Sequence, residues 1–307
     1  MSYAIGIDLG GTNIKIISVS NSGETLWQES RPTQDSKGIK QSIPAWAAEI
    51  REMLAKCEEQ MGQKAQHIGL SAPGLADEAG RTIAFMPGRL HGLEGFNWSE
   101  FLQQDVYVTD DAKAALLGEV WQGAARGYTD VIMITLGTGV GGAIYAGGQL
   151  IKGHVGRAGN LGHISLNTEG PLDVAGMPGS FEYSIGNASI KERSNGKYSS
   201  TKELADAAKA GDSAALKIWN LSVYKLSCAL AGLVNVLDPE AIVIGGGIAN
   251  AGPFLFDAVE ANLHKLEWRP NGHKVKVLPA KLSEWAGAIG SACYAIRSSQ
   301  SSYSMSQ

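Results

Sequence analysis

Tyr3-Ala-Ile-Gly-Ile-Asp-Leu-Gly-Gly-Thr-Asn-Ile-Lys-Ile-Ile-Ser-Val-Ser20 decides the fold. An apolar run climbs to a carboxylate, Asp8. Gly10, Gly11, Thr12 and Asn13 then turn the chain, and a second apolar run, Ile14 to Val19, comes back. Strand, glycine-rich polar turn, strand is the pattern of a β-hairpin. Glycines at such a turn let backbone N–H groups approach an anion with no Cβ in the way, and Thr12 and Asn13 add donors. Asp8, ending a buried strand, has a use if a cation sits beside that anion. The same residues also read as an ordinary hairpin whose aspartate caps its own turn.

A second stretch repeats the arrangement. Asp130-Val-Ile-Met-Ile-Thr-Leu-Gly-Thr-Gly-Val-Gly-Gly142 runs an apolar strand into Thr135, Gly137, Thr138 and Gly139, and a short strand, Ala143 to Tyr145, follows. Two such units look like two halves of a clamp on one polyphosphate. A third glycine turn, Gly245-Gly246-Gly247, ends the buried run that starts at Glu240 and precedes a helix from about Pro253. Strand, glycine turn and helix is also the dinucleotide fingerprint, but the last glycine of Gly-x-Gly-x-x-Gly falls here on Asn250. No Gly-x-x-x-x-Gly-Lys-Ser/Thr run occurs, which excludes a P-loop.

Outward from these turns, Glu24 to Arg31 reads as a third strand. Ile39 to Met61 reads as a helix, with Ile43, Trp46, Ala47, Ile50, Met53, Leu54 and Cys57 at helical spacing. Gln66 to Ser71 is a strand ending in Ala72-Pro73-Gly74. Val106 to Thr109 is another, followed by Asp110-Asp111 and an alanine-rich helix. Aspartate at a helix start is by itself a standard cap. Asp212 to Asp238 is apolar nearly all round, which predicts a buried helix. Val275 to Leu278 is a late strand, and Trp285 to Ile296 is a closing helix rich in small residues. Three strands, then a helix and a strand, make the class α/β.

The chain of 307 residues is long enough for two domains with their own cores. Its net charge of -4 gives no footprint for nucleic acid. No apolar run is expected to span a membrane, and no signal-peptide pattern precedes the first strand. Cys57, Cys228 and Cys293 are scattered, which fits a reducing, cytoplasmic setting better than a disulfide framework or a metal cluster.

Taken together, the two phosphate-type turns and the Asp110-Asp111 helix start resemble the ROK (repressor, open reading frame, kinase) family of sugar kinases, over nearly the whole chain. The resemblance implies an α/β actin-like ATPase (ribonuclease-H-like) fold with a ligand cleft between two domains that close to exclude water. The expected domains are 1–115 plus 286–307, and 116–285. It implies ATP-dependent phosphorylation of a hexose or hexose derivative, with Mg²⁺ near Asp8, through water. Asp8, Gly10, Gly11, Thr12, Asn13 and Lys15 would serve the phosphates, as would Thr135, Gly137, Thr138 and Gly139. Gly245, Gly246 and Gly247 would lie against the adenosine. Asp111 would accept the proton of the sugar hydroxyl, and Ser71, Gly74, Asp110, Asn160, His163 and Glu182 would contact the sugar. A homodimer is a further implication; nucleic-acid and membrane partners are not.

The departures from the family pattern carry information. The family usually has Asn-Asp where Asp110-Asp111 stands, and Glu-x-Gly-His where Asn160-Leu-Gly-His163 stands. It often has Pro-Asn where Pro87-Gly88 stands, leaving Arg89 or His91 as replacements for that contact. Many members continue with Cys-x-Cys-Gly-x-x-Gly-Cys-x-Glu, whose thiolates join the histidine on a structural zinc. Here the register reads Asp173-Val-Ala175-Gly176-Met-Pro-Gly179-Ser180-Phe-Glu182, so one His and one Asp replace the donor set and no zinc is expected. Glu182 also reads simply as a first-turn acid of the next helix. An acid for an amide at 110 and an amide for an acid at 160 exchange donors and acceptors. Such a site should favour a sugar whose hydroxyls differ from glucose, such as an epimer, a ketose or an acylated amino sugar. The alternative is a non-catalytic regulator that binds sugar and ATP. The family's repressors place a helix-turn-helix before the first phosphate turn, where no residues for one stand here.

Overall fold

Tyr3–Leu9 and Asn13–Ser20 pair antiparallel in an unbroken register, from Tyr3 opposite Ser20 to Leu9 opposite Ile14. Thr25–Pro32 joins the outer side of this hairpin, while His67–Ala72 and Val106–Asp110 run parallel on the other side of Tyr3–Leu9. Almost every residue of Tyr3–Leu9 is buried, because the sheet is covered on both faces. Tyr3, Ile5, Ile7 and Leu9 pack with Trp46, Ile50, Met53 and Cys57 of the helix Ala45–Met61. Ala4, Ile17 and Val19 point the other way, onto Ala288, Ile289 and Ala292 of the helix Ala286–Ser304. That helix lies almost on the backbone. Any Cβ at Gly6 or Gly69 would meet its main chain, and Gly118 and Gly290 let the helix Asp111–Gln122 approach it as closely.

The computed structural model describes residues 2–35, 39–40, 43–86 and 88–304. Within them the helix expected from Ile39 begins at Ala45, after short strands at Ile39–Lys40 and Ile43–Pro44; Gln41 and Ser42 lie outside the described residues. Pro44 sets this start. It sits in the extended position before the helix, with φ −60° and ψ 142°, and a proline pushes its preceding residue out of the helical region. The expected apolar set of the helix is otherwise buried.

The second sheet repeats the plan. Val131–Leu136 pairs antiparallel with Val140–Ala146, Gln149–Leu150 adds at that edge, and Ala241–Gly245 and Lys276–Pro279 follow in parallel. The strand expected at Ala143–Tyr145 therefore starts earlier, at Val140. Gly141 and Gly142 belong to it although they read as turn. A Cβ on Gly142 would meet the Gly159 carbonyl at 2.8 Å, so the glycine serves a close approach within a strand.

The 25-residue helix Ser213–Leu237 is capped by Asp212, which accepts from the N–H groups of Ala214 and Ala215, and it stops at Asp238 with φ 44°. Trp219, Val223, Leu226, Leu230 and Leu233 enter the core. The expectation of burial all round is corrected, since Leu221 is 54% and Val236 78% exposed. By length and composition alone this helix could also cross a membrane, contrary to expectation.

The two compact units are Met1–Gly127 with Lys152–Ala158 and Lys281–Gln307, and Tyr128–Ile151 with Gly159–Ala280. The first thus extends past the expected 115, because Asp111–Gln122 packs along Ala286–Ser304, and it takes in a short piece near 155 that the sequence did not reveal.

Candidate active site

In the first unit the turn after Leu9 is closed by the N–H of Gly10 donating to Asn13 O at 3.0 Å. Thr33, from the strand end beyond, ties it further by donating its hydroxyl to Gly10 O at 2.6 Å. Asp8 lies opposite Lys15 on one side and Ser71 on the other, because both neighbouring strands are in register with it. Ser71 donates to Asp8 Oδ1 at 2.9 Å, and Lys15 Nζ stands 3.9 Å from Oδ2. Ser71 is thereby buried behind Asp8. Burial pushes the Asp8 carboxyl up, and Lys15 and Ser71 oppose the rise. Gly74, with φ +104°, lies against Ile83 and Met86. Gly88, Arg89 and His91 are exposed, and Pro87 lies outside the described residues.

Asp110 ends its strand and caps the next helix, accepting from the Lys113 N–H at 2.9 Å. Its other oxygen takes Lys113 Nζ at 2.5 Å, and Nζ also donates to the Gly156 carbonyl. Both side chains are buried, 5% exposed for Lys113 and 10% for Asp110. Asp111, the first helical residue, presents an exposed carboxyl whose Oδ1 accepts from the Ala112 N–H. Protein is nonetheless dense around it. Desolvation first, then the like charges of Asp110 and Asp8, push it up to about 7, against the backbone N–H bonds. Solvent reaching the carboxyl works against that rise.

In the second unit Asn160 precedes, and His163 ends, one 3₁₀ turn, Leu161–His163. His163 Nδ1 is 2.8 Å from Asp173 Oδ2, and that carboxylate is 3% exposed. Asp173 Oδ1 also accepts from the N–H groups of Ala175 and Met177, both at 2.9 Å. Burial would raise the Asp173 carboxyl, but His163, Ser180 and these backbone donors together hold it below its ordinary value. Ser180 in turn caps the helix Phe181–Ile185, accepting from Tyr183 N at 3.1 Å. Glu182 on that helix accepts from Val140 N at 2.9 Å, so it sits at the Gly137–Gly139 turn. Asn187 donates its N–H to Gly137 O, and its side chain accepts from the Thr201 N–H at 2.7 Å, tying turn to helix.

The turns at Gly137 and Gly247 meet at a cavity of about 470 Å³, lined also by Asn187, Thr201, Trp219 and Ile248. Two buried polar atoms here, Thr201 Oγ1 and Trp219 Nε1, lack hydrogen-bond partners. Gly246 shapes this wall: its φ is +87°, and a Cβ would meet Leu136 N at 2.7 Å. Gly246→Ala should therefore cost about 1–3 kcal/mol of stability. Melting curves measure this; an unchanged melt would contradict the close approach.

Lys113, Thr33, Asn187 and Trp219 escaped the sequence reading. Lys113 alone left a signal, three residues after Asp110, the spacing at which helix charges meet. Among the described residues no group of three His, Cys, Asp or Glu could hold a metal ion, and the positions of the zinc thiolates hold a carboxylate, a methyl and a hydroxyl. This donor set does not fit zinc.

The glucokinase of Thermotoga maritima is 31% identical over 94% of this chain and 95% of its own length. The N-acetylmannosamine kinase of Escherichia fergusonii is 28% identical over 95% and 97%. A ROK family glucokinase from Streptomyces griseus, solved in complex with glucose and AMPPNP, superposes with a TM-score of 0.77 at 28% identity, covering 96% of this chain and all of the other. The doubled sheet is thus the actin-like ATPase fold. The ROK family pattern itself runs from residue 4 to residue 298, and the chain belongs to the ROK family.

Proposed function

We propose that the chain is an ATP-dependent sugar kinase in which Asp111 accepts the proton of the sugar hydroxyl. The observation that carries this is the exposed, charge-crowded carboxyl of Asp111 at a helix start. Phosphoryl transfer asks mainly for orientation and charge neutralisation, since the transition state is loose and a base is needed late. The glucokinase and N-acetylmannosamine kinase relatives, and the neighbour's AMPPNP, support the reaction class over a non-catalytic regulator.

The second unit would hold the nucleotide. The cavity at Gly137, Thr138 and Gly247 suits a purine and ribose against bare backbone, with Thr201 and Trp219 holding unused donors beside it. The turns at Gly10–Asn13 and Thr135–Gly139 would bind the phosphates through their N–H groups. Asp8 suits a hydrated Mg²⁺: it is a hard oxygen donor, held by Ser71 and only partly compensated by Lys15 at 3.9 Å. Bound there, Mg²⁺ would offset phosphate charge. Asn160, His163 and Glu182 would orient the sugar, as would Asp110, an acceptor fixed by Lys113. This set would favour an acceptor with hydroxyls unlike those of glucose. Cys57, Cys228 and Cys293 are free thiols, which supports a reducing, cytoplasmic setting.

A coupled assay of ADP release over hexoses, ketoses and N-acylhexosamines tests the reading. Sugar-dependent turnover is expected; sugar binding by calorimetry with no turnover across the panel would replace it with the regulator. Its pH dependence is a further expectation. Asp111 must be ionised to accept a proton, and its carboxyl is raised towards about 7. Activity should therefore fall about tenfold per pH unit on an acid limb lying above the ordinary carboxylate range. A kcat/KM profile flat down to the ordinary aspartate value near 4 would contradict it.

A further inference from the structure

By the resemblance described above, His163, Asp173, Ala175 and Ser180 stand at the four places of the family's zinc motif, and here Asp173 binds His163 and the Ala175 N–H directly. Asp173 is the hub. It receives His163 Nδ1 and the N–H groups of Ala175 and Met177, and the nearby Ser180 hydroxyl helps to keep its carboxyl ionised. A carboxylate that already takes two backbone N–H groups is acting as an acceptor, so His163 Nδ1 carries the proton and donates. That fixes the ring and leaves Nε2 as its acceptor nitrogen. Ser180 is fully buried, and its oxygen also caps the helix that bears Glu182. One carboxylate therefore holds His163 and lies beside the serine that caps the helix bearing Glu182.

We infer that Asp173 is a positioning residue that replaces a metal ion: it sets the tautomer of His163 and, through Ser180, the placement of Glu182 for sugar binding. The inference rests on the sugar-kinase reading for its consequence, though the hub itself does not. A zinc ion bound by Cys₃His would satisfy the same four positions by coordination. Here hydrogen bonds do so, in a form independent of metal supply. The ordering acts on sugar binding, because the nucleotide cavity is lined by other residues. A lost hydrogen bond to a charged group commonly weakens binding about 10–100-fold.

Three variants test this. Asp173→Ala should raise the sugar KM about tenfold or more and leave the ATP KM and kcat within about threefold, the pattern of lost ground-state binding. Asp173→Asn keeps the shape but offers one acceptor oxygen, so it should show a smaller rise. In a ¹⁵N spectrum of the whole protein the His163 ring should be protonated at Nδ1 in the parent and lose that preference in Asp173→Ala. The triple variant Asp173→Cys, Ala175→Cys, Ser180→Cys should bind one zinc ion per chain and bring the sugar KM back towards the parent. An unchanged His163 tautomer in Asp173→Ala, or a sugar KM unmoved while the protein stays folded by melting, overturns the inference. A triple variant that binds zinc without recovering sugar affinity also overturns it. A parent without turnover would instead overturn the kinase reading, while the ¹⁵N signal would still decide whether Asp173 sets the ring.

Discussion

Asp111→Asn is expected to lower kcat about 10²–10⁴-fold while sugar and ATP still bind within about threefold of the parent. The amide keeps the size of the side chain and loses the acceptor charge. Its effect on stability should have the opposite sign. The Asp111 carboxyl is raised by desolvation and by Asp110 and Asp8, so its ionised form is disfavoured in the folded protein. A carboxyl raised on folding destabilises above its folded value, and that penalty fades as pH falls towards its unfolded one. Asp111→Asn should therefore melt higher than the parent at pH 8 and alike at pH 4. Such an exchange of stability for activity is common where a site holds strained charge. Melting curves at both pH values, beside kcat, check it. A variant that keeps most of its turnover removes Asp111 from the chemistry.

Lys113→Met is expected to have the largest effect on stability. It strips the countercharge from Asp110, which is buried and otherwise held by the Lys113 N–H and its own backbone. Breaking a buried pair by removing one partner costs about 3–5 kcal/mol, a drop of roughly 6–20 °C for a unit of this size. The pair as a whole should matter far less. Asp110→Asn together with Lys113→Met removes both charges and should recover more than half of the loss. The Asn can still cap the helix. If the double variant melts no higher than Lys113→Met, the damage comes from lost packing or from the lost bond to Gly156, and the charge argument fails. Melting of the four proteins in the cycle, at one ionic strength, separates these cases.

Much of the fold was legible because its signals are local. Both hairpins announce themselves by apolar runs around glycine turns, and Asp212 and Asp238 mark the ends of the long helix as cap and stop. What stayed hidden depends on contacts distant in sequence. Gly142 reads as turn until Gly159 is seen beside it. Leu221 reads as core because a helical pattern rich in leucine does not say which side meets protein. At the site, single residues were legible and partnerships were not. Asp110 and Asp111 could be told apart in role but not in environment. The structure separates them into a buried carboxylate tied to Lys113 and an exposed one that only its own backbone and Ala112 restrain. Asp173 looked like a lost zinc ligand, and only the fold shows what its oxygens hold.

The helix Ala286–Ser304 lies flat against Gly6 and Gly69, yet it is synthesised after the whole of the second unit. Domains generally fold as they emerge, the earlier one first. In this chain the earlier unit cannot be completed before the later one has been made. Until the late helix arrives, Ala4, Ile17 and Val19 lack the cover that Ala288, Ile289 and Ala292 give, while the second sheet already has all of its strands and its long helix. The first unit therefore completes its core only after the residues of the second unit have been made.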